Sequence, residues 1–69
     1  MKFDYGQGVL YNPTTESGTT KPASVVGITP VETDKQVENF GYPRGTVLYL
    51  IEFGDGTDKL VPESDLIAM

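Results

Sequence analysis

Cysteine and histidine are both absent from these 69 residues. No disulfide can staple the chain, and no Cys/His zinc site can stand in for one. The usual general base and the thiol nucleophile are missing as well. Basic residues are scarce: five Lys and Arg face ten Asp and Glu, for a net charge of −5. Binding to a nucleic-acid backbone, which relies on Lys and Arg displacing counterions, is therefore disfavoured. An acidic surface suits solubility and the steering of a basic partner. No apolar run approaches the ~20 residues that span a bilayer. The first residues, Met1-Lys2-Phe3-Asp4, lack the apolar stretch of a signal peptide. The expectation is one domain over 1–69, cytoplasmic, with no membrane or nucleic-acid partner. A chain this size buries only ~60% of its unfolded surface, so its core is thin unless a partner adds to it.

The organising stretch is 45–62, GTVLYLIEFGDGTDKLVP. Residues 47–51 form the longest apolar run, rich in β-branched and aromatic side chains that fit a pleated surface. Gly54-Asp55-Gly56 interrupts it and Lys59-Leu60-Val61 resumes it. Asp-Gly between two such segments predicts a hairpin with a tight primed turn. Strands are expected at 46–53 and 58–61, with Val47, Tyr49, Ile51 and Phe53 on one face and Leu48, Leu50 and Glu52 on the other.

Upstream, Val9 and Tyr11 share a face of a first strand at 8–11. Residues 12–22, NPTTESGTTKP, have no apolar period and predict a long exposed loop. A second strand is expected at 23–29. Simple alternation there puts Val25 and Gly27 on one side and Val26 and Ile28 on the other. Gly27 marks coiling or a side chain crossing above it. Thr33-Asp34-Lys35-Gln36 fits a capping box, and Gly41 a C-terminal cap, so one short helix is expected over 34–40. Two turns do not stand alone in water. Val37 and Phe40 should therefore dock on the sheet. Tyr42-Pro43-Arg44-Gly45 predicts a turn with proline at its second position. After Pro62 a single helical turn should return Leu66 to the sheet, with Ile67 in a last edge pair.

Four to five strands and one helix in so short a chain bury both faces only if the sheet curls on itself. The expected fold is mainly β: a small, strongly bent antiparallel SH3-like barrel with one short helix at about 34–40. An open sheet with the helix on one face is the alternative.

Chemistry is sparsely provided for. Ser17, Ser24 and Ser64 each lack a local base. The carboxylate pairs Glu52/Asp58 and Asp55/Asp58 could in principle do acid–base work, and Glu52 and Asp58 flank the hairpin turn. They read first as solvated charges that guard a sheet edge. Asp55-Gly56-Thr57-Asp58 is too short for a calcium loop, and the Asp-Gly is explained by the turn. Gly6-x-Gly8 and Gly54-x-Gly56 do not sit between a strand and a helix N-terminus, so no nucleotide site is expected. No catalytic, cofactor or metal residue is assigned. Tyr42 stands beside Arg44, the one arginine in the chain. Tyr and Arg are enriched at interface hot spots. The candidate partner-binding set is Tyr42, Arg44, Glu52, Asp55 and Asp58, the acids steering and the Tyr-Arg pair anchoring.

Three segments carry a resemblance: Val25-Val26-Gly27-Ile28-Thr29, Tyr49-Leu50-Ile51-Glu52-Phe53-Gly54-Asp55-Gly56 and Val61-Pro62-Glu63-Ser64-Asp65-Leu66. With the opening Tyr5-Gly6-Gln7-Gly8-Val9, they resemble small bacterial SH3-like proteins, in particular immunity proteins of polymorphic toxin systems. The resemblance implies a barrel fold and a protein partner such as a basic toxin or enzyme. It transfers no functional residue, because the matching positions are fold-making ones. The expected function is a non-enzymatic protein-binding module, an immunity-type inhibitor that occludes its partner. The alternative is a structural subunit that homo-oligomerises through its barrel surface. A small hydrolase using Glu52 and Asp58 is the third reading.

Overall fold

The computed structural model describes residues 2–13 and 20–69. Five strands form one antiparallel sheet: β1 (Gly8–Tyr11), β2 (Lys21–Pro30), β3 (Val47–Phe53), β4 (Asp58–Pro62) and β5 (Leu66–Ala68). Their spatial order is β4-β3-β2-β1-β5. One helix, α1 (Asp34–Phe40), lies between β2 and β3, and a 3-10 turn at Glu63–Asp65 joins β4 to β5. The class is mainly β with one short helix, as expected. Among the described residues the sheet is not closed: β4 and β5 are its two edges, and no ladder joins them.

The core lies on one face of this curled sheet. Phe3, Val9, Tyr11, Ala23, Val25, Tyr49, Ile51, Val61 and Leu66 make a single buried cluster, with Ile28, Val47 and Phe53 packed against it. The four residues that alternation placed on the inner face of β3 are all there. Leu66 returns to the core as expected, and Ile67 pairs with Leu10 at the β5 edge.

Simple alternation fails in β2. Val25 pairs with Ile51 and Gly27 with Leu50, leaving Val26 unpaired in a bulge. The extra residue resets the period. Ile28, and not Gly27, therefore shares the inner face with Val25, and Val26 turns outward at 45% exposure. A Cβ on Gly27 would lie 3.1 Å from the Leu50 Cβ, which is the side chain crossing expected there. β2 also begins earlier than expected, so Lys21 and Pro22 belong to it and not to the loop. The rest of that loop, 14–19, lies outside the described residues.

The prolines avoid the ladder's bonds. Phe53 N–H donates to the Thr57 carbonyl at 2.8 Å. Antiparallel bonding alternates from there, so Ile51/Lys59 and Tyr49/Val61 are the bonded pairs of β3 and β4. Pro62, opposite Leu48, falls at a non-bonded position where no N–H is needed. It ends the strand without breaking a bond.

Both turns depart in detail from the expected chemistry. The hairpin at 54–56 is not a primed turn. Gly56 N–H donates to the Phe53 carbonyl at 3.0 Å. Gly56 alone takes positive φ, at 88°, and Asp55 does not. This is a three-residue loop closed by a glycine bulge. The Asp55 carboxylate accepts from the Thr57 N–H and hydroxyl, at 3.0 and 2.7 Å, which fixes Asp55 without strain. The second turn is shifted by one residue: Thr46 N–H donates to Pro43 at 3.2 Å, with Gly45 at φ 93° in the third position. Glycine's freedom at positive φ outweighed proline's preference for the second position.

The helix has the expected bounds, the capping box of Thr33 and Gln36, and Gly41 at φ 77° as its cap. Its docking differs. No residue of α1 is buried, and Phe40 is 37% exposed. The buried residue of this excursion is Val31, just before the helix. Val31 donates to Thr46 at 2.8 Å and accepts from Gly45 at 2.9 Å, so backbone bonds at the base hold the excursion. Leu48 is also fully buried, although it sits on the outer side of β3.

Candidate functional site

The five candidate residues divide between the two ends of β3. Tyr42 and Arg44 precede the strand; Glu52, Asp55 and Asp58 lie at its far end. Seven residues at ~3.3 Å each put ~20 Å between the groups. They do not form one patch.

At the hairpin end, Glu52 and Asp58 are direct cross-strand partners, and both are exposed. They lie on the outer face, since Ile51 beside Glu52 points inward. Like charges directly opposite one another oppose folding slightly. The hydrogen bonds from Thr57, side chain first and then backbone, hold the Asp55 carboxyl below its ordinary value. A shallow groove of about 410 Å³ runs beside this end, bordered by Ser24, Glu52, Phe53 and Met69.

At the other end, Arg44 Nε lies 3.4 Å from Asp34 Oδ1, with both side chains largely in solvent. An exposed pair of this kind contributes little. Tyr42 is half-buried and borders a second groove of about 470 Å³. This groove follows β4, past Leu60 and Pro62, and reaches Tyr11, Ser64 and Asp65. Of the candidate set, Glu52 borders the first groove and Tyr42 the second, which runs along the edge strand β4.

Two side-chain assemblies that sequence reasoning missed frame the inner face. At one end, Tyr49 donates its hydroxyl proton to Glu63 Oε2 at 2.6 Å and accepts from the Phe3 N–H at 3.3 Å. The Lys2 N–H donates to the same carboxylate oxygen at 3.1 Å. The Phe3 and Tyr49 rings meet edge to face, 5.4 Å apart. Burial, then the bond to Glu63, raises the Tyr49 phenol above its ordinary value; that same bond holds Glu63 below its own. At the other end, Tyr11 and Phe53 meet edge to face at 5.9 Å. Lys59 lies over Tyr11, and Lys21 over Phe53, at 5.1 and 5.9 Å. Both lysines occupy inward strand positions, which an alternation count would have flagged.

Among the described residues, no group of three or more His, Cys, Asp or Glu is placed to hold a metal ion. Among those residues, no helix is long and apolar enough to cross a membrane. Comparison with protein-family models, with curated proteins and with solved structures gave no match.

Proposed function

We propose that this chain is a non-enzymatic protein-binding module that occludes a basic partner, in the manner of an immunity protein. The observation that carries this reading is the hairpin end, where Glu52, Asp55 and Asp58 project from a rigid β3–β4 ladder beside exposed Leu60. Acids on a rigid scaffold steer a basic protein, and adjacent apolar surface holds it. The curled sheet fits an SH3-like barrel whose seam is left unpaired; its strand order and single inner core support that assignment. The test is co-expression with the product of the neighbouring gene. Toxicity relieved by the native chain, and restored by the double variant Glu52→Gln/Asp58→Asn, supports the proposal. Toxicity unchanged by the native chain, with no complex on co-purification, removes it.

The two sheet edges, unpaired among the described residues, favour a second reading, an assembly subunit whose copies pair edge to edge. A size measurement across dilution separates the two. A monomer at all concentrations rules out assembly.

A further inference from the structure

We propose that the β4 edge is a strand-addition site: an extended, basic segment of a partner pairs with it antiparallel and lays alternate side chains into the groove beside it. This rests on the protein-binding reading and specifies how the partner is held.

The alternation set by the Phe53–Thr57 bond turns Lys59 and Val61 toward β3. It therefore turns Asp58, Leu60 and Pro62 away from the sheet. Among the described residues, the free side of β4 offers N–H groups and carbonyls at Asp58 and Leu60, while the Pro62 carbonyl is engaged by the 3-10 turn that follows. The opposite edge offers less. β5 has three residues, and the Leu66 N–H already donates to Glu63. The groove of about 470 Å³ lies along β4 and not β5, with Tyr11 and Tyr42 on its walls. Strand addition takes its affinity from such main-chain bonds and its specificity from pockets for alternate side chains.

Charge chooses the occupant. Asp58 stands at one end of the edge with Glu52 beside it in the same cross-strand row, and Asp65 borders the groove; Lys59, which also lines it, stands over the Tyr11 ring. A second copy, itself at −5, would bring like charge to this edge. Two β4 strands paired about Leu60 would also set each Asp58 opposite a Pro62, which has no N–H to return. Self-pairing is thus disfavoured twice, and a Lys or Arg opposite Asp58 removes the first objection. The acid that discourages copies selects a basic strand. Every ladder of this sheet is antiparallel. In that sense, the incoming segment places an apolar residue opposite Leu60 and a basic one two positions later, opposite Asp58.

Two end-blocked peptides test this: in a threonine background, one carries valine and, two positions later, lysine, and the other carries valine and, two positions later, glutamate. Each is titrated into the labelled protein while amide shifts and hydrogen exchange are followed. The expected result is binding of the valine-lysine peptide alone, with exchange at the Asp58 and Leu60 amides slowed about tenfold or more. Leu60→Pro removes one outward N–H without removing a bond to β3. It should weaken the peptide about tenfold while Leu60→Ala changes it far less. If Leu60→Pro does not fold, the exchange map of the native protein decides alone. Binding of the valine-lysine peptide without protection at those two amides overturns strand addition and leaves the basic-partner reading standing. No binding of either peptide, or equal binding of both, overturns the two together. Protection of the same amides that grows with protein concentration, without peptide, assigns the edge to a second copy and overturns the proposal.

Discussion

Tyr49 shows how much one side chain carries in a chain this short. Its ring is fully buried, and its hydroxyl joins Phe3, at one end of the sequence, to Glu63, near the other. Tyr49→Phe keeps the ring and leaves the Glu63 carboxylate without its strongest donor. The expected loss is about 1–2 kcal/mol in urea unfolding, with the strand spectrum retained. The same bond predicts a pH dependence. Glu63 titrates below its ordinary value of 4.5 in the fold, so its stabilisation is present above that pH and is lost as pH falls through the lower folded value. Glu63→Gln should flatten that acid limb, read as unfolding midpoints between pH 5 and pH 2 on the order of the carboxylate range. Tyr49 acts at the opposite limit. Its raised phenol stabilises below the ordinary value of 10.0 and stops doing so as pH rises through the folded value.

Elements formed where local signals agreed, and drifted where one residue overrode a period. Helix α1 was legible because Thr33, Gln36 and Gly41 each have a single structural use at their positions. Its docking was not, because periodicity shows which residues share a face and not whether anything covers that face. Thr33→Ala should therefore fray α1 by about 1 kcal/mol, seen in amide exchange over 34–40, while the sheet's unfolding midpoint barely moves. The β2 bulge was hidden for the opposite reason: Val25 and Val26 are equally apolar, and only pairing with β3 reveals which one is extra. The hairpin's place was legible from Asp55-Gly56, but its turn class was not, since Thr57 decides it by bonding Asp55. Of the candidate site, the nearness of Glu52 and Asp58 followed from counting across the turn. The ~20 Å that separates them from Tyr42 and Arg44 needed the strand's direction. Asp58→Lys replaces a like-charge pair by an opposite one and should stabilise the hairpin by about 0.2–1 kcal/mol, measured by thermal melting. On the proposed protein-binding reading, the same variant should also lose affinity for a basic partner.

The whole molecule stands on one inner core with little in reserve. At 69 residues, a stability of about 3–10 kcal/mol is the expected range. Phe3 is 4% exposed and precedes every strand, yet its ring completes the cluster against Tyr49. Phe3→Ala should cost about 3–5 kcal/mol, enough to leave much of the chain unfolded at 37 °C by circular dichroism. The charge balance works on the same scale. Because the acids outnumber the bases two to one, association with a basic protein should slow as salt is raised, which stopped-flow mixing would record.

β1 finds its second neighbour in β5, so Val9 meets Ala68 and Tyr11 meets Leu66 across nearly the full sequence. Closing so large a loop is the slowest kind of step in forming a sheet. The hairpin of β3 and β4, and the ladder of β2 on β3, can assemble from nearer segments first. On the ribosome, then, Val9 and Tyr11 wait uncovered on that side until residues 66–68 have emerged, and this last pairing sets the tempo at which the newborn chain hides its apolar face.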